Sequence, residues 1–282
     1  MKMSMTWGRL DRWHHPTWSV SCASTDPPTW DVYERLDVSL DPTGPDQPHD
    51  LAAELLPDDG TVLDVGCREA ADLIRIVRDR NAAGAGVEPV PLHLDRARAA
   101  VAAAALGYRI TLHEGGVEEL PGLDVRFDLV WCRDVLTQVA DLDGVLAAIA
   151  RALRPSGRVL IQVTFATALL HGADVDLLHR HLGNVHENLN RRVVESAFRR
   201  AELSVERTIE VGTEWREHAE ERTQPMSRAL LRLARLRRQR DALAEDHGAD
   251  VVDHVEANLH WEVFQALGKL EPVIFILGHT RP

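Results

Sequence analysis

The run Val62-Leu63-Asp64-Val65-Gly66-Cys67 puts a carboxylate and then a glycine at the end of an apolar stretch. It reads as a buried strand that turns sharply at Gly66. A doubly wound α/β domain uses such a turn to offer a loop and a helix N-terminus to a nucleotide-containing cofactor. A helix-compatible run, Ala70 to Arg80, follows, and then Gly86-Val87-Glu88, a second strand ending in an acid. An acid roughly 20 residues past the glycine turn is placed to accept hydrogen bonds from ribose hydroxyls. Together these residues describe an adenosine pocket, which NAD, FAD or S-adenosylmethionine would each fit.

Candidates for proton transfer lie further along. His171, His179, His181 and His186 follow the fifth strand signal. An imidazole titrating near neutrality can take a proton from a hydroxyl or an acidic carbon. His171, nearest the strand exit, is the first candidate base and His186 the second. No cysteine or aspartate pattern accompanies these histidines, so no metal site is expected. Arg133 and Asp134 fall where the fourth strand opens toward a reaction centre.

The elements that must position these groups alternate. Strands are predicted at Val62–Val65, Gly86–Glu88, Tyr108–Leu112, Phe127–Cys132 and Arg158–Val163. Between them come helices at Ala70–Arg80, Leu94–Leu106 and Leu142–Leu153, the last stopped by Pro155-Ser156-Gly157. Such alternation predicts a parallel sheet covered by helices. Residues 1–50 form an irregular, Trp- and Pro-rich arm, with a short helix at Thr29–Leu36. Residues 51–211 form the cofactor domain, ending in a helix at Asn188–Arg200 and a strand at Leu203–Val211. Residues 212–270 are a charged helical lid, or a substrate or dimer insertion. Residues 271–282 hold a last strand, Pro272–Leu277, that returns to the main sheet. The lid includes a basic helix, Arg228 to Arg240, in which Leu230, Leu233 and Leu236 can share a face.

Composition narrows the function. The chain has 282 residues, 45% hydrophobic and 27% charged, with a formal net charge of -12. That balance argues against a general nucleic-acid binder. Three cysteines, Cys22, Cys67 and Cys132, are too scattered for a disulfide framework or zinc cluster. No run approaches the ~18 apolar residues of a membrane span, and a cytoplasmic location is expected. Aromatic residues in the arm and the long insertion are compatible with a homodimer.

Five segments in order resemble a class I S-adenosylmethionine-dependent methyltransferase of the ubiquinone/menaquinone-biosynthesis-like kind. They are Val62–Ala70, Gly86–Pro89, His113–Pro121, Phe127–Leu136 and Leu153–Leu160. The resemblance implies a Rossmann-like, mostly parallel seven-stranded sheet with an antiparallel last strand. It implies S-adenosylmethionine as cofactor, with Asp64 facing the methionine ammonium and Glu88 the ribose. Gly66, Cys67 and Arg68 would form the glycine loop, Pro89 would flank the ribose, and Gly116, Val117 and Glu118 would hold the adenine. Cys132 and Arg133 would line the fourth strand end, and Tyr33 would close over the methionine part. Two departures stand out: the family usually has glycine at the positions of Arg68 and Ala70, and an acid at that of Gly116. The expected reaction is methyl transfer to an oxygen, nitrogen or carbon of a small molecule in specialised metabolism. Arg133, Trp215, His260 and Trp261 are the candidate substrate contacts. A tRNA or other macromolecular methyltransferase and a non-catalytic cofactor-binding scaffold are the alternatives.

Overall fold

The computed structural model describes residues 27–117 and 126–280. The arm before Pro27, with Cys22, lies outside them, as does Glu118. The chain divides into Met1–Asp41 and Pro42–Pro282. In the first unit the described element is α1 (Pro27–Leu36), which leaves Trp30, Tyr33 and Leu36 exposed.

In the second unit α2 (Gln47–Leu55) precedes β1 (Thr61–Val65), α3 (Ala71–Asp79), β2 (Ala83–Glu88), α4 (Pro91–Ala103) and β3 (Ile110–Glu114). The chain then crosses to β4 (Phe127–Arg133), α5 (Leu142–Ala152) and β5 (Leu153–Ala166). Next come α6 (Gly172–Leu182), α7 (Arg191–Arg200) and β6 (Leu203–Glu210). Three helices, α8 (Glu214–Thr223), α9 (Pro225–His247) and α10 (Ala249–Ala266), lead to β7 (Leu270–His279). The strands form one seven-stranded sheet in the order β3-β2-β1-β4-β5-β7-β6. β1 to β5 pair in parallel, and β7 lies antiparallel to both β5 and β6.

Alternation along each strand builds two cores. Leu63, Val65, Val130, Cys132, Val159 and Ile161 face α5 and α7, where Phe198 and Phe275 meet edge-on at 5.3 Å. Val62, Leu129, Trp131, Leu160 and Ile276 face α2, α3 and α4. Strands buried on both faces read as continuous apolar runs, which is why β4 was legible. The strand order reverses direction between β1 and β4. A crevice opens there beyond the carboxyl ends of the strands, the ligand position in open α/β sheets.

Several elements differ from the sequence expectation. Pro155-Ser156-Gly157 lies inside β5, not before it. A register shift between Phe127 and Leu129 absorbs this irregular stretch. α6 is not among the sequence expectations, and its short apolar stripe of Val175, Leu178 and Leu182 packs on Leu170, Phe264 and Leu270. α7 starts at Arg191 because the Asn190 side chain caps it, accepting from Arg192 N at 3.0 Å. On α9 the buried face is Met226, Ala229, Leu233 and Leu236, while Leu230 is exposed.

Candidate functional site

Gly66 ends β1 with φ +73°, and a Cβ there would fall 2.5 Å from Val135 Cγ2. The turn therefore needs glycine twice over, for its handedness and for its space. Arg68 (φ 47°) and Ala70 (φ 60°) keep the same left-handed backbone without glycine. The loop has thus retained its shape where the residue type departed, at about 1–2 kcal/mol of local strain for each L-residue. Arg68→Gly is accordingly expected to raise stability by about 0.5–1 kcal/mol, because relief of the left-handed strain exceeds the added glycine entropy. Chemical denaturation checks this, and a fall in stability would contradict it.

Two cavities meet at Gly66. The first, about 760 Å³, lies among Val65, Val87, Pro89, Gly115, Gly116, Val117, Val135 and Val139. Valines form one part of its wall and Glu114, Gln138 and Asp141 also line it, and it has the dimensions of a small-ligand cleft. The second, about 440 Å³, is polar, and Asp64, Cys67, Arg68, Asp72, Arg133 and Asp134 line it.

The second cavity carries the electrostatics. Asp64 is buried, and its carboxyl makes no hydrogen bond or ion pair with any described residue. Burial, then the neighbouring charges of Asp72 and Glu88, push its pKa well up, and Arg133 opposes them. Burial also works on Asp72, but the His49 contact at 3.0 Å and Arg133 at 3.3 Å hold its carboxyl below the usual range. His49 rests on Trp131 with ring centroids 5.0 Å apart. Asp134, with φ 52°, is raised by burial although Gln162 Nε2 (2.8 Å) and Thr164 Oγ1 (3.0 Å) donate to it. Cys67 is raised to about 12 by burial and Cys132 is raised further by the same cause, so both are thiols without nucleophilic character.

Glu88 is buried at the end of β2. Its carboxylate accepts from Arg68 N and Val90 N, each at 2.9 Å. The acid thus stitches the glycine loop to the second strand; His93 Nδ1 lies 3.5 Å from Oε1, and Oε2 keeps a lone pair for a further donor.

The remaining sequence candidates are dispersed. His171 precedes α6 and His186 opens a single 3-10 turn. Both are exposed, and neither lines either cavity. Trp215 is packed into the sheet core and donates from Nε1 to Gln47 Oε1 at 3.3 Å, so its ring is a structural anchor for α8. His260 Nδ1 contacts Glu256 O at 2.8 Å within α10. Trp261 packs on a cluster of Leu170, Leu178, Phe264 and Leu270. Tyr33 is exposed on the first unit. His49, Asp72 and Arg216 were not singled out in the sequence. His49 and Asp72 sit on helices flanking β1, and no motif marks them.

An open α/β sheet with paired cavities at its switch point defines a Rossmann-like cofactor domain. Comparison with known proteins narrows the class. A family model described as "Methyltransferase domain" matches residues 63–161. Dimethylglycine N-methyltransferase of Parasynechococcus marenigrum is 29% identical over 134 residues, 48% of this chain and 47% of that protein. 27-O-demethylrifamycin SV methyltransferase of Amycolatopsis mediterranei is 25% identical over 159 residues, 56% of this chain and 53% of that protein. The chain thus spans about half the length of these curated relatives. A methyltransferase from Thiobacillus denitrificans, solved with S-adenosyl-L-homocysteine, shares the fold with a TM-score of 0.59 at 18% identity. That match covers 90% of this chain and 99% of the other. Residues 63–161 thus match a methyltransferase domain, within a fold shared with a solved methyltransferase, and the cofactor such a domain implies is S-adenosylmethionine.

The residues fit this cofactor. The buried carboxyl of Asp64, without a partner among the described residues, suits an ammonium, the free lone pair on Glu88 Oε2 suits a ribose hydroxyl, and the valine part of the first cavity's wall suits adenine.

Proposed function

We propose that this chain is an enzyme that methylates an oxygen, nitrogen or carbon nucleophile of a small molecule, in specialised metabolism. The observation that carries the reading is Asp64, a buried acid with no partner among the described residues, lining a polar cavity that meets a second one at Gly66. When bound, the cofactor supplies an electrophilic methyl group on a sulfonium. The protein's part is placement and exclusion of water. Asp64 holds the amino-acid end and Glu88 the ribose. The insertion between β6 and β7 rejoins the sheet at Leu270, opposite Ala166, at the end where β1 and β4 also finish, which supports its reading as a lid.

His171 and His186 remain the proposed bases for a hydroxyl or carbon acceptor, and the segments that carry them, before α6 and before α7, would have to move toward the crevice. For an amine acceptor, orientation and desolvation suffice. The assignment of 1–50, 212–270 and 271–282 as arm, lid and closing strand, a cytoplasmic location, a homodimer, and Tyr33 as a contact to the methionine part belong to the same proposal. Among the described residues no helix is long and apolar enough to cross a membrane.

The test is calorimetric titration with S-adenosylhomocysteine, followed by a radiolabelled methyl-transfer screen over small alcohols, phenols, amines and acidic carbon compounds. Micromolar binding with transfer to one class is the expected result. Binding with no transfer to any class would favour the scaffold reading, and absence of binding by folded protein would reject the assignment.

A further inference from the structure

α8 is fixed from three directions. Trp215 is sunk in the core and bonded to Gln47. Thr43 N donates to Glu214 Oε2 at 3.0 Å, and His218 Nδ1 meets Pro42 O at 3.1 Å. Arg216, next to Trp215, therefore cannot swing freely. Its Nε donates to Oε1 of buried Gln265 at 2.8 Å. Among the described residues its two terminal amino groups find no hydrogen-bond acceptor, and no carboxylate lies at ion-pair distance from it. Nor are those nitrogens among the sealed polar atoms, so they open on accessible space.

This is a costly way to keep an arginine. Burial lowers its pKa, the charges of Glu262 and Asp134 resist, and Arg133 adds to the lowering. Asp134 is already bonded to Gln162 and Thr164, and burial favours its neutral form, so it is a poor counter-ion. A half-buried guanidinium with unspent donors is normally balanced by an anion, ideally one that accepts both terminal nitrogens together. Asp134 lines the methionine-side cavity, and the guanidinium feels both Asp134 and Arg133 of that wall. Arg216 itself lines neither cavity, but α8 is tied through Trp215 to α2, whose His49 touches Asp72 and Trp131 of the polar cavity's wall, so the unspent donors lie on that cavity's flank.

We propose that Arg216 binds an oxyanion of the methyl acceptor, so that the substrate class is small molecules bearing a carboxylate or phosphate group. This rests on the function proposed above and goes beyond it by naming what the acceptor carries. Arg216 is a specificity-determining residue and takes no part in the transfer itself.

The experiment titrates protein saturated with S-adenosylhomocysteine with phenylacetate, phenyl phosphate and the neutral phenylacetamide. At least one anion is expected to bind on the order of tenfold tighter than the amide, as one charge-assisted contact implies. Arg216→Met should erase the preference, Arg216→Lys should keep part of it, and neither should change S-adenosylhomocysteine affinity more than about twofold. Equal binding of acid and amide, or no binding of any probe, overturns the proposal. So does a preference that survives Arg216→Met. A large loss of S-adenosylhomocysteine affinity would give the guanidinium to the cofactor's own carboxylate and also overturn it. If Arg216→Met does not fold, as judged by circular dichroism, Arg216→Lys carries the test, and an unaltered preference there counts against the proposal. Failure to saturate with S-adenosylhomocysteine would be a failure of the functional reading alone, and the anion preference is measurable without it.

Discussion

Asp64→Asn is expected to weaken S-adenosylmethionine binding by about 10- to 150-fold, the range for losing a charge-assisted contact of about 1.5–3 kcal/mol. The same substitution should leave the free protein as stable as the parent at neutral pH, or more so. Burial, Asp72 and Glu88 raise Asp64 above its ordinary value of 3.8. The folded state therefore holds a proton that the unfolded state releases. The stability associated with this group is fully present below the unfolded value and declines as pH rises through the raised folded value. Asparagine removes that penalty and retains the volume. Binding runs the opposite way, because the ligand's ammonium favours the carboxylate and displaces the proton. Affinity should increase with pH through the raised value and then level, whereas Asp64→Asn should show a flat profile at low affinity. Calorimetry across pH 5–8, with thermal melts on the same samples, reads both quantities. Parental affinity in the variant would remove Asp64 from the site.

The residues proposed to hold the cofactor were legible in the sequence and those proposed to face the acceptor were not, for a physical reason. Asp64, Gly66, Glu88 and the residues around Gly116 belong to short local segments whose chemistry is set by strand ends and a tight turn. Sequence spacing alone places them. The side proposed for the acceptor draws on distant parts of the chain. Arg216 on α8 meets Gln265 on α10, and Asp134 after β4 is held by Gln162 and Thr164 on β5. No periodicity links those positions.

The histidines illustrate the same limit. Their proximity in sequence to the strand exit suggested a base, but α6 and the turn at His186 carry them to exposed positions outside both cavities. Trp215 was legible as an aromatic residue on the lid, and its role as the core anchor that fixes Arg216 was not. The glycine departures were legible too. What the sequence could not convey is that Arg68 and Ala70 hold the left-handed backbone despite their side chains.

Gly66→Ala should be the most damaging single change in the loop, lowering stability by roughly 2–5 kcal/mol from left-handed strain of about 1–2 kcal/mol and overpacking of about 1–3 kcal/mol. The two contributions can be separated, because the clash has one source. The added Cβ would meet Val135 Cγ2 at 2.5 Å, and the next nearest atoms at 3.6 Å and 3.7 Å also belong to Val135. Val135→Ala removes the clashing methyl and leaves the backbone handedness untouched. The double variant should therefore be less destabilised than the sum of the singles by about 1–2 kcal/mol, a coupling typical of side chains in direct contact. The residue of the Gly66→Ala effect is then the backbone strain. Both residues line the first cavity, so S-adenosylhomocysteine affinity should fall in Gly66→Ala and recover in part in the double variant. Denaturant titration of the four proteins measures the cycle. Strict additivity would mean that Val135 is not what the loop packs against, and that the glycine is required for its backbone alone.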